Sequence, residues 1–115
     1  MADHIRIVAA QGTWVVRAGG AVIGESAEAL ELLEGDYPAV IYFPRGDIAT
    51  AFLEQSTKVT HCPWKGDATH YAVVTGDRHI ADAAWSYLSP KDGMERIAGH
   101  IAFYTNVDDV AVEQL

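Results

Sequence analysis

The chain has 115 residues, 8 Lys and Arg against 16 Asp and Glu for a formal charge of −8, and is half hydrophobic. At this length about two thirds of the extended-chain surface is buried on folding, enough for one domain over residues 1–115, and the single cysteine excludes an internal disulfide. The acidic balance argues against nucleic acid and against a membrane as partners, since both require a concentrated basic surface. With no basic-then-apolar leader and no apolar window approaching ~18 residues, the expected location is the cytoplasm.

In chain order, the first strong signal is a hairpin. Thr13–Ala18 and Ala21–Gly24 are extended runs joined by Gly19-Gly20, the pair of residues that a primed turn requires. Pairing outward from the turn puts Trp14, Val16, Ala21 and Ile23 on one face, and Thr13, Arg17 and Ser26 on the other. Ser26 then stands as N-cap to a predicted short helix over Ala27–Glu34, with Ala29, Leu30 and Leu33 at helical spacing and Gly35 to end it. Glu25, Glu28, Glu31, Glu34 and Asp36 form a dense acidic group on and around that helix, either a solvated face or a docking face for a basic protein.

Ala39–Phe43, bounded by Pro38 and Pro44, lacks polar alternation and reads as a strand covered on both faces. Asp47 is placed to cap a second predicted short helix, Ile48–Leu53, with Ile48, Ala51 and Phe52 inward. Lys58–His61 is a strand leading to the loop Cys62–Asp67. Thr69–Thr75 turns at Gly76-Asp77 into Arg78–Trp85, a register that sets Tyr71 opposite Asp82, His79 opposite Val74, and Val73 on the face of Ile80. Ile101–Tyr104 is a last central strand and Val110–Val112 a short edge. The class is mainly β and antiparallel, with two short helices.

Four segments together carry a family resemblance. Thr60-His61-Cys62-Pro63-Trp64-Lys65-Gly66-Asp67-Ala68-Thr69-His70-Tyr71 resembles the T-x-C-P-[YW]-K-G-x-A-x-x-[YW] signature of the bacterial and fungal family called domain of unknown function 427. Tyr42–Ile48 is similar to its Y-F-P-R-x-D-[VI] segment, Ala84–Tyr87 to its A-W-x-Y, and Ile97–Tyr104 to its I-x-G-x-[VI]-A-F-Y, so nearly the whole chain is covered in order. The resemblance implies a β-tent fold, a pair of antiparallel sheets meeting at an angle, similar to the thalidomide-binding domain of cereblon and to methionine sulfoxide reductase B domains. Those relatives hold a structural zinc on two cysteine pairs. With Cys62 alone, that site cannot form, and no zinc is expected. The family's provisional nucleotidyltransferase label finds no support here, because no Gly-rich loop runs into Lys and Ser or Thr.

The residues able to carry chemistry are few. Cys62 is a candidate catalytic nucleophile or redox thiol if Lys65, His61 or His70 surrounds it; the alternative is a buried cysteine that shapes the loop before Pro63. Arg45 and Lys65, each beside aromatic residues, could hold a small anion together, or pair with Asp47 and Asp67. His4, His61, His70, His79 and His100 show no ligand spacing, so no metal and no cofactor is expected. The leading reading is a binder of a small, possibly anionic molecule in a pocket between the sheets, with Tyr42, Arg45, Trp64, Lys65, Tyr71, Trp85 and Tyr87 as ligand-binding residues. The alternatives are an enzyme using Cys62 and an interaction module using the acidic first-helix face.

Overall fold

The computed structural model describes residues 3–107 and 109–115. Ten antiparallel strands run through them: β1 Ile5–Ala9, β2 Trp14–Ala18, β3 Ala21–Ser26, β4 Leu30–Glu34, β5 Val40–Tyr42, β6 Leu53–Cys62, β7 Gly66–Thr75, β8 Arg78–Ser86, β9 Ile101–Phe103 and β10 Val110–Gln114. The mainly β class therefore holds. The strands group in three sheets, ordered β1-β4-β5, β10-β2-β3 and β6-β7-β8-β9.

The two expected helices are not there, and the reasons are physical. Ala27–Glu34 would make only about two helical turns, too short to be stable without strong packing. As β4 its last five residues sit between β1 and β5, bonded on both edges, with Leu32 buried. Ser26 does use its hydroxyl locally, accepting from the Glu28 N–H at 2.9 Å, but it donates to Asp47 Oδ2 at 2.6 Å and so ties two loops together rather than capping a helix. That same bond occupies the carboxylate expected to cap the second helix. The segment instead contains two single 3-10 turns, Arg45–Asp47 and Thr50–Phe52, with Ile48 buried between them and bridged to Gly24. Gly24 must be glycine there, because a Cβ would lie 2.7 Å from the Asp47 carbonyl oxygen.

The hairpins are where sequence expected them. β2 and β3 meet at Gly19-Gly20 with Ala18 opposite Ala21, and a bulge near Ile23 moves Ser26 opposite Trp14. In β7–β8, Val74 pairs with His79 and Val73 with Ile80, as counted from the turn. Beyond them a bulge carrying Asp82 at φ 51° puts Ala84, not Asp82, opposite Tyr71. Aspartate tolerates this left-handed backbone better than most residues. The shift is two residues, so Tyr71 and Ala84 stay on the face of Val73 and Ile80, while Asp82 is turned out to solvent and Ala83 is buried.

Two hydrophobic clusters follow. One joins Val16, Ile23, Phe43, Val73 and Ile101; the other joins Leu32, Tyr42, Ala68, Tyr87, Ile97 and Ala102. β5 belongs to both: Tyr42 and Phe43, 1 % and 0 % exposed, are buried on opposite faces, as the unalternating run Ala39–Phe43 predicts. Phe43 also forms the seam between two sheets, exchanging backbone hydrogen bonds of 2.8 and 2.9 Å with Ile101 of β9.

Candidate functional site

The Phe43–Ile101 bridge is the only ladder pair between β5 and β9 among the described residues. Because backbone groups alternate in direction along a strand, the N–H and C=O groups of Ile41 and Phe103 point toward the same gap as those of Phe43 and Ile101, yet form no ladder there. The strands part instead, and a cavity of about 890 Å³ opens between them, with Val40 and Ile41 on one side and Phe103 to Asn106 on the other. A second, smaller cavity of about 210 Å³ adjoins it, and the two share Glu34, Val40, Trp85 and Tyr104 as lining residues.

Strand alternation explains which side chains meet here. On the three-stranded sheet, Leu30 faces Tyr42 and Leu32 faces Val40, so Glu34, two residues on, continues the same inward row. On the four-stranded sheet, Thr60 pairs with Ala68, His70 with Trp85, and Trp85 with Ala102, which puts these residues on one face. Trp85 Nε1–H donates to the Tyr42 hydroxyl at 3.2 Å, and the Trp85 ring lies 4.4 Å from that of Tyr104. Burial raises the hydroxyl pKa values of Tyr42, Tyr87 and Tyr104 above their ordinary value, so all three are neutral donors at physiological pH.

Lys65 is the one cation among the described residues on the walls of the smaller cavity. It sits in the three-residue loop between Cys62 and Gly66, is 8 % exposed, and places Nζ 2.8 Å from Glu34 Oε1 and 6.0 Å from the Tyr87 ring centre. It is thus paired with Glu34 and not with Asp67, whose carboxylate meets His61 at 2.8 Å. A carboxylate on the inward row of an apolar strand needs such a partner, since an isolated buried charge is costly.

Thr60 and His70 form a further polar pair at this wall. His70 is buried, stacks against Tyr104 at 6.2 Å, and brings Nε2 to 2.8 Å from Thr60 Oγ1, while Nδ1 has no partner. Burial first, then the charge of Lys58, lower its pKa against the smaller opposing effect of Asp82, so the ring is neutral. Orphaned buried N–H groups are rarer than unfilled acceptors, so the proton belongs on Nε2, donating to Thr60. The Thr60 hydroxyl hydrogen is then free to face the cavity. Ring ¹⁵N shifts should report the Nε2–H tautomer at neutral pH; an Nδ1–H pattern would contradict this assignment. A folded-state pKa below the ordinary 6.5 means that the unfolded chain takes up the proton first. The His70 contribution to stability is therefore present above that value and declines as pH falls through it, and the pH slope of unfolding should flatten in His70→Asn.

Of the site residues expected from sequence, Tyr42, Lys65, Trp85 and Tyr87 come together around the smaller cavity. Arg45 and Tyr71 do not join them. Tyr71 follows His70 and Ser86 follows Trp85, so both project from the opposite face, where the Arg45 guanidinium reaches Tyr71 Oη and Ser86 Oγ at 3.3 Å and the Gly99 carbonyl at 3.1 Å. Arg45 and Lys65 therefore stand on opposite sides of one sheet. Trp64 is 43 % exposed and meets the edge of His4, outside both cavities. Cys62 is partly buried against the second cluster, its supposed activators engaged elsewhere, Lys65 with Glu34 and His61 with Asp67. No group of three or more potential metal ligands occurs among the described residues.

Glu34, Thr60 and Tyr104 are not among the site residues expected from sequence, and His70 is named there only as a possible activator of Cys62. The spacing Leu30-x-Leu32-x-Glu34, followed as a period of two, is the signal that would have placed Glu34 inward.

Fold and site together define a small antiparallel β domain with an aromatic cleft where two sheets part. The family model described as Domain of unknown function (DUF427) matches residues 6–114, and the chain belongs to that family. No curated protein matches it. No helix among the described residues is long and apolar enough to cross a membrane.

Proposed function

We propose that the protein binds a small molecule in the cleft between β5 and β9, with Trp85 and Tyr104 as the central wall. The observation that carries this reading is the splaying of β5 from β9 after a single bridge, which leaves aromatic faces and backbone hydrogen-bonding groups at one opening. A cleft of this volume suits a small organic ligand, with apolar walls for affinity and a few polar groups for orientation. Polar groups on the smaller cavity include the Thr60 hydroxyl and the Lys65–Glu34 pair, and the larger one is lined by Thr105 and Asn106 as well.

An anionic ligand held jointly by Arg45 and Lys65 is the weaker form of this reading, because the two cations lie on opposite sheet faces and Lys65 is already neutralised by Glu34. Docking through an acidic helix lacks its helix, since β4 takes that stretch.

A fragment library screened by thermal shift should give hits whose stabilisation is lost in Trp85→Leu and kept in Arg45→Ala. Hits that depend on Arg45 and ignore Trp85 would move the site to the other face; no hits at all would remove the proposal.

A further inference from the structure

The smaller cavity holds more hydrogen-bond donors than its walls can use. Tyr42, Thr60, Tyr87 and Tyr104 each bring a hydroxyl to it and Lys65 an ammonium, whereas Glu34 is the one carboxylate among the described lining residues. The Tyr42 oxygen, on a side chain 1 % exposed, accepts from Trp85 Nε1–H at 3.2 Å, but its own hydrogen meets no acceptor. Thr60 accepts from His70 and keeps its hydrogen for the cavity.

Tyr87 is the clearest case. It is 6 % exposed, yet its hydroxyl makes no hydrogen bond among the described residues. Standing two residues beyond Trp85, it continues the same face of the four-stranded sheet, which turns its ring toward the cavity it lines. His70 Nδ1 is the one side-chain polar atom that packing seals without a partner among the described residues, so the Tyr87 oxygen still borders open space. Burial raises the Tyr87 pKa first, and the charges that Tyr42, Cys62, Tyr104 and Glu34 can carry raise it further, which puts these groups around one space.

A buried hydroxyl with nothing to donate to has lost the hydrogen bonds of water, and native proteins keep few such groups. Several of them at one cavity are the complement of an oxygen acceptor, and a carbonyl oxygen has two lone pairs with which to accept from two at once. Charge then separates a neutral carbonyl from a carboxylate. The Lys65 ammonium is matched by Glu34 at 2.8 Å, and an anion would stand beside that carboxylate in a protein of net charge −8. An ammonium would only add donors to walls that already have them in excess.

We propose that the smaller cavity takes a neutral carbonyl oxygen, that of a ketone or amide, which accepts from the Tyr87 hydroxyl beside those of Tyr42 and Thr60 while the apolar body of the ligand lies on Trp85 and Tyr104. This rests on the reading of the cleft as a binding site and adds the chemical class of the group it recognises.

The test uses the full chain and three probes of one shape: 4-phenylbutan-2-one, protonated 4-phenylbutan-2-amine and the anionic 3-phenylpropanoate. Binding is followed by ¹H–¹⁵N NMR at the indole N–H of Trp85, with exposed Trp64 as internal control. The ketone should bind at least about ten-fold tighter than either charged probe, as expected where a site's own donors would otherwise stay unpaired. Tyr87→Phe removes only an oxygen that has no partner in the protein, so it should unfold at the native midpoint or above it, while the ketone loses most of its advantage over the ammonium. Equal affinities in the native chain, or a preference for the ammonium or the carboxylate, would overturn the neutral-carbonyl class and leave the cleft as a binding site. A Tyr87→Phe variant that is destabilised and keeps the ketone preference would assign the hydroxyl to folding and overturn its place in recognition. Failure of all three probes to move the Trp85 signal would overturn both readings.

Discussion

Phe43→Ala is expected to cost about 3–5 kcal/mol of folding stability, the usual range for removing a fully buried phenylalanine. The ring is 0 % exposed and packs edge-on to Phe103 with centres 6.0 Å apart, while the backbone of the same residue makes the bridge to Ile101. Two sheets are thus joined through one position by both its side chain and its main chain. A domain of this size has a total stability of roughly 5–15 kcal/mol, so the loss is a large fraction of it. Urea unfolding should show a much lower midpoint, and Phe43→Leu, which keeps most of the volume, should recover more than half of the difference. A shift below about 1 kcal/mol for the alanine variant would mean that the seam is held elsewhere. Because the cleft opens immediately beyond this bridge, the alanine variant should also broaden the Trp85 indole signal below its unfolding transition.

The second large effect is expected at the Lys65–Glu34 pair. Lys65→Met removes the ammonium and leaves a carboxylate on the inward row of β4, and breaking a buried pair in this way costs about 3–5 kcal/mol when both partners are fully dry. Here the Glu34 side chain keeps 23 % of its surface and His4 stands 3.6 Å from its other oxygen, so about 2–3 kcal/mol is the expected loss. Glu34→Leu strands the more deeply buried ammonium and should be at least as damaging. The double variant should be more stable than either single one, since it leaves no uncompensated charge, and the coupling free energy should therefore be large and favourable. Additive single effects would show that the two groups do not sense one another. The same cycle bears on function, because it measures how firmly Lys65 is committed to Glu34 before any ligand arrives.

Much of the fold is legible in the chain. The Gly19-Gly20 and Gly76-Asp77 turns place two hairpins and set their register as far as the bulges near Ile23 and Asp82, Pro38 and Pro44 bound a strand buried on both faces, and the four motif segments lead to the family. These features are local: turn chemistry, proline and a period of two act within a few residues of one another, so a sequence displays them directly. The site is legible in part for the same reason. Tyr42, Lys65, Trp85 and Tyr87 all belong to motif segments, and they do meet.

What sequence alone could not decide depends on pairings between distant segments. Ala27–Glu34 carries a helical spacing that is real but weak over so few residues, and its last five residues become β4 because β1 and β5 supply hydrogen bonds on both edges. That change turns Glu34 from one charge among several on a solvated face into the partner of Lys65, 31 residues away. The separation of Arg45 from Lys65 has the same origin: which face of β7 and β8 each cation reaches is settled by where β5 and the β6–β7 loop dock. Composition and local pattern thus determined an acidic, antiparallel β domain of this family and brought out the aromatic, motif-borne residues of the candidate site. Only tertiary pairing decided which charges face that site, because a side chain's partner across a sheet is set by register and topology and not by its neighbours along the chain.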